Sequence, residues 1–473
     1  FRRFMPEQAN STPESPKVRE ARFWEAILPV IALVVMIYLS VVKFETSAHI
    51  ALLLATAVAA LVGLRIGHRW SKIEDGIIDG ISVGMKAILI LMVIGMLIAT
   101  WILSGVVPIM IYHGLNLLSP SIFLVATCLI CSIISISTGS SWTTAGTVGV
   151  ALIGVGQGLN IPLPMVAGAI ISGSYFGDKL SPLSDTTNLA PAVAGAELFD
   201  HIRYMLWTTV PAFVISLIIY GVIGLSFQGE LDVSTVQVIR GSISEQFSLN
   251  PILFLPPLLV VAMVVFKLPA LPALLVGSIV GGGFAMVFQG SSTQEILAVA
   301  FDGYVSESGN AALDELLSRG GMDSMMFTVA LIICALGFGG VMERAGLLRT
   351  LAGAILSFAR GTGRLVTSTI LTCLGMNIVA PDQYLAIVVP GRMYRDAYRE
   401  ANLEPRLLSR TLEDSGTLTS PLVAWNTCGA FMSTTLGVSC LSYAPYAFLN
   451  LLCPAIAIIY GFTGWTIQRT KTS

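Results

Sequence analysis

The chain has 473 residues, 55% of them hydrophobic and only 11% charged, with a formal net charge of −2 and a mean hydropathy of +0.81. Soluble domains carry about 25% charged residues, so the composition excludes an ordinary soluble enzyme and points to a chain that crosses a bilayer many times. No basic patch suits nucleic acid, and the seven cysteines lie in or beside apolar runs without metal-ligand spacing to histidine, as buried reduced thiols do.

Residues 1–22 are polar and contain proline, and they read as a disordered cytoplasmic tail. A spanning helix needs about 20 mostly apolar residues. On that measure spans are predicted at 24–42, 49–66, 82–103, 204–225, 251–267, 271–288, 325–342 and 443–466. Four further apolar stretches, 121–156, 163–200, 365–391 and 405–440, are shorter or interrupted by Gly, Ser, Thr and Pro. Irregular backbone at membrane depth is tolerated only where protein or a water-filled cavity surrounds it. The stretches 121–156 and 365–391 are therefore predicted to be re-entrant hairpins, and 163–200 and 405–440 broken spans.

The two halves resemble each other. "HIALLLATAVAALVGLRIG" (49–67) pairs with "PALLVGSIVGGGFAMVFQG" (272–290), "EDG" (74–76) with "FDG" (301–303), Gly105 with Gly346, and "LSPLSDTTN" (180–188) with "TSPLVAWNT" (419–427). The pairs occur in the same order, which is the mark of an internal repeat. Cytoplasmic loops collect Lys and Arg. Arg65, Arg69 and Lys72 follow the second span, whereas the matching loop of the other half is acidic, with Glu295, Asp302, Glu307, Asp314 and Glu315 against Arg319. Residues 104–120 and 156–163 hold no Lys or Arg, but their counterparts hold Arg344, Arg349, Arg360 and Arg364, then Arg392, Arg395, Arg399, Arg406 and Arg410. The halves are thus expected to sit in opposite orientations. The predicted fold is an all-α polytopic membrane protein with an inverted-topology repeat. Each half has about five transmembrane crossings plus one re-entrant hairpin, with helices broken at the midplane. The first repeat covers 23–225, an external linker 226–250, the second repeat 251–468 and a cytoplasmic tail 469–473, with both termini cytoplasmic. Inverted repeats with broken helices are the architecture of secondary transporters, with the substrate near the midplane.

The first break, "GDKLSPLSDTTNLAP" (177–191), carries the chemistry. Pro182 frees backbone carbonyls. Ser181, Ser184, Thr186 and Asn188 add hard oxygen donors, and Asp185 supplies the negative charge, so that Asp185→Asn is expected to abolish sodium binding. Such a set suits a small hard cation and not a transition metal. A bound cation stabilises a buried carboxylate that would otherwise hold a proton, so one aspartate can exchange H⁺ for Na⁺. The second break, "RTLEDSGTLTSPLVAWNT" (410–427), has Ala424 opposite Asp185. Around it lie Glu413, Asp414, Ser415, Thr417, Thr419, Ser420, Trp425, Asn426 and Thr427. Asp414 is a proton carrier or a partner of Arg410. The hairpin tips add Thr138, Ser140 and Ser141 around Gly139, as cation ligands or as small packing residues. They also add Asp382 beside Pro381, as an intramembrane carboxylate or a helix cap. Lys86, within a predicted span, is expected to snorkel, and His201 to lie at an interface.

The stretch "SGSYFGDKLSPLSDTTNLAP" (172–191) resembles the signature of the NhaC family of Na⁺/H⁺ antiporters, and the resemblance runs from about residue 24 onward, through "STGSSW" and "LTSPLVAWNTCG". It implies a sodium-linked secondary transporter in the cytoplasmic (inner) membrane of a prokaryote, with paired hairpins and broken helices, forming a homodimer. Carried over by matching position, Asp178, Ser181, Ser184, Asp185, Thr186 and Asn188 are its core-site residues. No enzyme activity and no cofactor are expected, only transported Na⁺ and H⁺ and the surrounding lipid bilayer. Some similar chains exchange malate for lactate or carry amino acids with sodium and protons. For a small organic anion or amino acid, Lys179 is the candidate charge partner.

Overall fold

The computed structural model describes residues 18–117, 119–227, 233–309 and 311–470. Residues 1–17 of the expected tail, 228–232 of the expected linker and 471–473 at the end lie outside the described residues. Helices dominate, and among the described residues the one isolated β-bridge joins Leu403 to Arg469. Among the described residues, seven helices are long and apolar enough to cross a membrane: Phe23–Val41, His49–Ile66, Met85–Leu103, Pro120–Thr138, Leu198–Leu225, Ala270–Gln289 and Asp323–Arg344. Two bent pairs raise the total to nine, Gln237–Gln246 with Pro251–Val265 at 101° and Cys440–Tyr446 with Phe448–Thr463 at 58°. The chain is thus an all-α polytopic membrane protein.

Most expected spans fall where the apolar runs put them, and the differences have local causes. The span predicted at 82–103 begins at Met85, because Trp70–Val83 forms its own helix with a charged face. Arg344 of the other half reaches Asp75 (3.7 Å) and Asp79 (3.5 Å) on that face. The segment 226–250 contains the helix Val233–Gln246. The two stretches predicted as hairpins are helix–turn–helix units. The first turns at Gly139 between Pro120–Thr138 and Ser141–Gly158, and the second at Ala380–Asp382 between Thr362–Val379 and Gln383–Glu400. The two broken spans are likewise helix pairs. Leu163–Leu180 and Asp185–Ala194 flank the first break, and Pro405–Thr417 and Thr427–Leu436 flank the second.

Contacts between these elements recur in both halves. Met85–Leu103 packs on Ala270–Phe284, and Met326–Arg344 packs on His49–Ile66. Pro120–Thr138 packs on Leu198–Leu225, as Thr362–Val379 does on Phe448–Thr463. The short helix after the first break, Asp185–Ala194, lies against the second hairpin's outgoing arm, Gln383–Glu400. Its counterpart, Thr427–Leu436, lies against the first hairpin's outgoing arm, Ala145–Gly158. The halves therefore interlock around the two breaks.

Small residues bring the broken span close to the first hairpin, as is usual between helices in lipid. A Cβ added at Gly173 would lie 2.2 Å from the Cys128 carbonyl oxygen, and one at Gly177 would lie 2.5 Å from that of Ser132. Larger side chains at either position would push the two helices apart.

Candidate transport site

The first break is set by Pro182, which has no N–H to continue the helix. The Ser181 N–H donates to the Asp178 carbonyl (3.2 Å), and the Ser184 N–H to the Ser181 carbonyl (3.2 Å). Ser184 then caps the next helix by accepting from the Thr187 N–H (3.4 Å). The hairpin tip reaches this break through Gly139. Its φ is +66°, and a Cβ there would lie 2.7 Å from the Leu183 carbonyl carbon and 2.9 Å from the Ser184 nitrogen. Only glycine combines that backbone with that approach.

Between the tip, the break and the second hairpin lies a cavity of about 560 Å³, whose charged lining residues are Lys86, Asp178, Asp185, Lys267 and Asp382. Asp178, at the end of its helix, is buried. Its Oδ2 accepts from the Ser141 N–H (3.1 Å) and the Ser141 hydroxyl (2.6 Å). Ser141 opens a helix, so the carboxylate sits at a helix N-terminus, where the dipole favours negative charge. Thr138, also buried on the wall, has no hydrogen-bond partner for its hydroxyl. Ser140 caps the Ser141 helix, accepting from the Thr143 N–H (3.1 Å).

Asp185 lies at the mouth, with 60% of its side chain exposed. Its Oδ2 accepts from the Lys86 ammonium (2.9 Å) and the Tyr384 hydroxyl (3.3 Å). Lys86 therefore turns to a carboxylate of another element instead of merely snorkelling. Asp382 does both things expected of it. It caps its helix, accepting at Oδ1 from the N–H groups of Tyr384 (2.9 Å) and Leu385 (3.2 Å), and it lines the cavity. Thr427 reaches the other oxygen of Asp382 at 3.5 Å.

Of the residues expected at the site, Thr138, Ser140, Ser141, Asp178, Ser184, Asp185, Thr186, Asp382 and Thr427 line this one cavity. Ser181 and Asn188 shape the break instead. The Ser181 hydroxyl accepts from the Leu183 N–H (3.3 Å), and the Asn188 amide donates to the carbonyls of Pro182 (2.9 Å) and Ser184 (2.7 Å). The Ser420 hydroxyl, in the second break, donates to the Thr417 carbonyl at the end of the preceding helix (2.6 Å). Asn426 caps the helix after the second break and donates to Asn377 (3.0 Å). The freed carbonyls of the second break are filled by protein donors. Tyr443 donates to Pro421 (2.6 Å), and Asn450 to Leu418 (2.9 Å).

Lys179 and Asp414 stand apart from the cavity lining as a fully buried ion pair. Asp414 also accepts from Thr208 (3.1 Å) and lies 3.9 Å from the Arg410 Nε. Arg410, expected in a loop, is fully buried and stacks over Tyr204 at 4.3 Å. His201, expected at an interface, is fully buried too, with its Nδ1 2.7 Å from the Ser409 hydroxyl. Glu413 is fully buried and accepts from the Thr186 hydroxyl (3.0 Å). Its signal in the sequence is that three charges, Arg410, Glu413 and Asp414, fall within five residues of a predicted span, where ionisable groups are functional by default.

A polytopic helical protein whose broken helices enclose a charged cavity is a membrane transporter by architecture. Residues 173–465 match the model of the Na⁺/H⁺ antiporter family. The Na⁺/H⁺ antiporter NhaC of Alkalihalophilus pseudofirmus is 41% identical, over 94% of this chain and 96% of that protein. The malate-2H⁺/Na⁺-lactate antiporter of Bacillus subtilis is 38% identical, over 96% and 98%. The arginine/ornithine antiporter ArcD of Halobacterium salinarum is 37% identical, over 94% and 92%. The chain belongs to the NhaC-type Na⁺/H⁺ antiporter family.

Proposed function

We propose that this protein exchanges Na⁺ for H⁺ across a prokaryotic cytoplasmic membrane, with Asp178 as the carboxylate that holds the cation. The observation that carries this reading is a buried aspartate on a cavity wall, beside hydroxyls and away from any basic partner. Three carboxylates and two lysines line the cavity, so its balance of formal charge favours a cation. At the surrounding helix starts the N–H of Ser141 is taken by Asp178, those of Tyr384 and Leu385 by Asp382, and those of Thr187, Thr143 and Cys428 by the caps Ser184, Ser140 and Asn426. An ionised carboxylate away from water is costly unless it is neutralised. Asp178 therefore carries either Na⁺ or a proton, and the two compete.

The halves sit in opposite orientations on this reading, with both termini cytoplasmic. The reciprocal packing of the two halves and the alternating placement of arginine-rich loops support it.

The test is made in sealed vesicles of purified protein with a pH-sensitive dye inside. Added Na⁺ should drive proton movement in the wild type and none in Asp178→Asn. A wild type that responds to no inorganic cation, or an Asp178→Asn variant with normal exchange, sinks the assignment.

A second reading has its own support. The cavity of about 560 Å³ is far larger than one water-sized ion, since a water occupies about 30 Å³, and falls in the range of small-molecule sites. Lys86 and Lys267 could meet a carboxylate there, a role Lys179 is too deeply paired to fill. Proton movement that starts only when malate, lactate or an amino acid joins Na⁺ selects this reading.

A further inference from the structure

We propose that Glu413 is a second proton-binding carboxyl of the exchange cycle, reached from the cavity through the Thr186 hydroxyl. The inference rests on Na⁺ binding at Asp178. Thr186 lines the cavity, and its hydroxyl donates to Glu413 Oε1 at 3.0 Å. The Ser184 hydroxyl, also on the cavity wall, lies 3.2 Å from that of Thr186. Glu413 is thus one hydroxyl away from the cavity while being fully buried itself.

Charges of both signs stand near it, Lys179 and Asp178. Oε2 has no hydrogen-bond partner. Glu413 is in no ion pair among the described residues, because Lys179 pairs with Asp414 and the Arg410 Nε faces Asp414. A buried carboxyl that only structured the fold would be expected to have both oxygens engaged. One with an oxygen outside any hydrogen bond and a hydroxyl link to the cavity is placed to gain and lose a proton.

The other groups around it do not take that role. On the preceding helix and the broken span stand Arg410, Lys179 and Asp178. His201 and Cys453 come from the two long helices packed behind. Cys453 bonds to Asp414 (3.2 Å). Cys373, Tyr394 and Tyr398 face from the second hairpin, where the tyrosines bond to Thr372 (2.8 Å) and Thr369 (3.2 Å). Asp185, on the helix after the break, is turned to Lys86.

The step balances as a proton relay. A hydronium ion in the cavity gives a proton to the Thr186 oxygen and becomes water, as the Thr186 hydroxyl proton passes to Glu413 Oε1, converting carboxylate to carboxylic acid. Na⁺ arriving at Asp178 brings positive charge nearby and favours the reverse transfer.

The experiment counts protons released per Na⁺ bound by the full-length protein in weakly buffered detergent solution. Glu413→Gln keeps an oxygen to accept from Thr186, and it should bind Na⁺ within about threefold of wild-type affinity while releasing about one proton fewer per Na⁺. Thr186→Val should slow exchange in vesicles about tenfold, and Thr186→Ser should restore it. Asp178→Asn should abolish Na⁺ binding altogether. A wild type that binds no Na⁺ removes the reading beneath the inference. Wild-type Na⁺ binding with unchanged proton release in Glu413→Gln, or with full-speed exchange in Thr186→Val, overturns the inference itself.

Discussion

On the proposed function, Lys86 is a competitor at the cavity mouth, since its ammonium pairs with Asp185 where an entering cation would meet that carboxylate. Exposed ion pairs contribute about 0–1 kcal/mol, so removing one partner changes affinity modestly. We expect Lys86→Met to tighten Na⁺ binding about two- to fivefold and Asp185→Asn to weaken it by a similar factor. Calorimetric titration checks both, and a loss of binding in Asp185→Asn as complete as in Asp178→Asn would make the two aspartates equivalent. The sequence pointed to Asp185 as the charge that meets the cation, whereas the fold buries Asp178 and leaves Asp185 at the mouth. Six residues separate them, four of which, 181–184, lie outside both helices, leaving Asp178 in the last turn of one helix and Asp185 at the start of the next. Glu413 and Lys179 were harder still. Lys179 meets Asp414 across 235 residues of chain and Glu413 meets Thr186 across 227, and no local pattern encodes such pairings.

The elements that make the site were legible because Pro and Gly mark its turns, at Gly139, Pro182, Pro381 and Pro421. What the pattern missed is register. Aligned on the shared Ser-Pro-Leu, Asp185 falls opposite Ala424. In the fold the helix after the first break starts at Asp185 and that after the second at Thr427. Thr427 therefore takes the place of Asp185, and it too faces the cavity. Gly139 is the element-scale test of whether tip and break form one site. Gly139→Ala puts a side chain at positive φ, at about 1–3 kcal/mol, and against the Leu183–Ser184 peptide as well. We expect a lower melting temperature and Na⁺ affinity reduced at least several-fold. Gly283→Ala, on a helix where an added Cβ meets nothing within 4 Å, should leave both unchanged. Equal behaviour of the two variants would mean that the tip is not part of the site.

At the scale of the whole molecule, one short helix divides two cavities. Thr427, at the start of Thr427–Leu436, lines the first. Thr434, Thr435 and Gly437, at its end, line a second of about 450 Å³ together with Asp302, Glu315 and Arg319. Ten helical residues span about 15 Å, so the partition is thin, and it is held shut by the stack of Phe431 on Trp142 at 4.1 Å and by the hydroxyl contact of Thr434 with Thr328. The first cavity borders Lys86, Lys267 and Leu268, at the end the arginine-rich loops assign to the cytoplasm. The second borders the acidic loop assigned outside. On the proposed orientation this is a cytoplasm-open state, and transport requires the partition to shift. Thiol labelling tests this directly, because of the seven cysteines only Cys334 is not buried, and replacing it gives a quiet background. Leu268→Cys should react with a membrane-impermeant reagent only in inside-out vesicles, and Glu315→Cys only in right-side-out ones. Reaction of both from one side would mean that the two cavities open to the same face, and would overturn the partition. Leu268→Cys reacting from outside, with Glu315→Cys from inside, would keep the cavities on opposite faces but turn the molecule over.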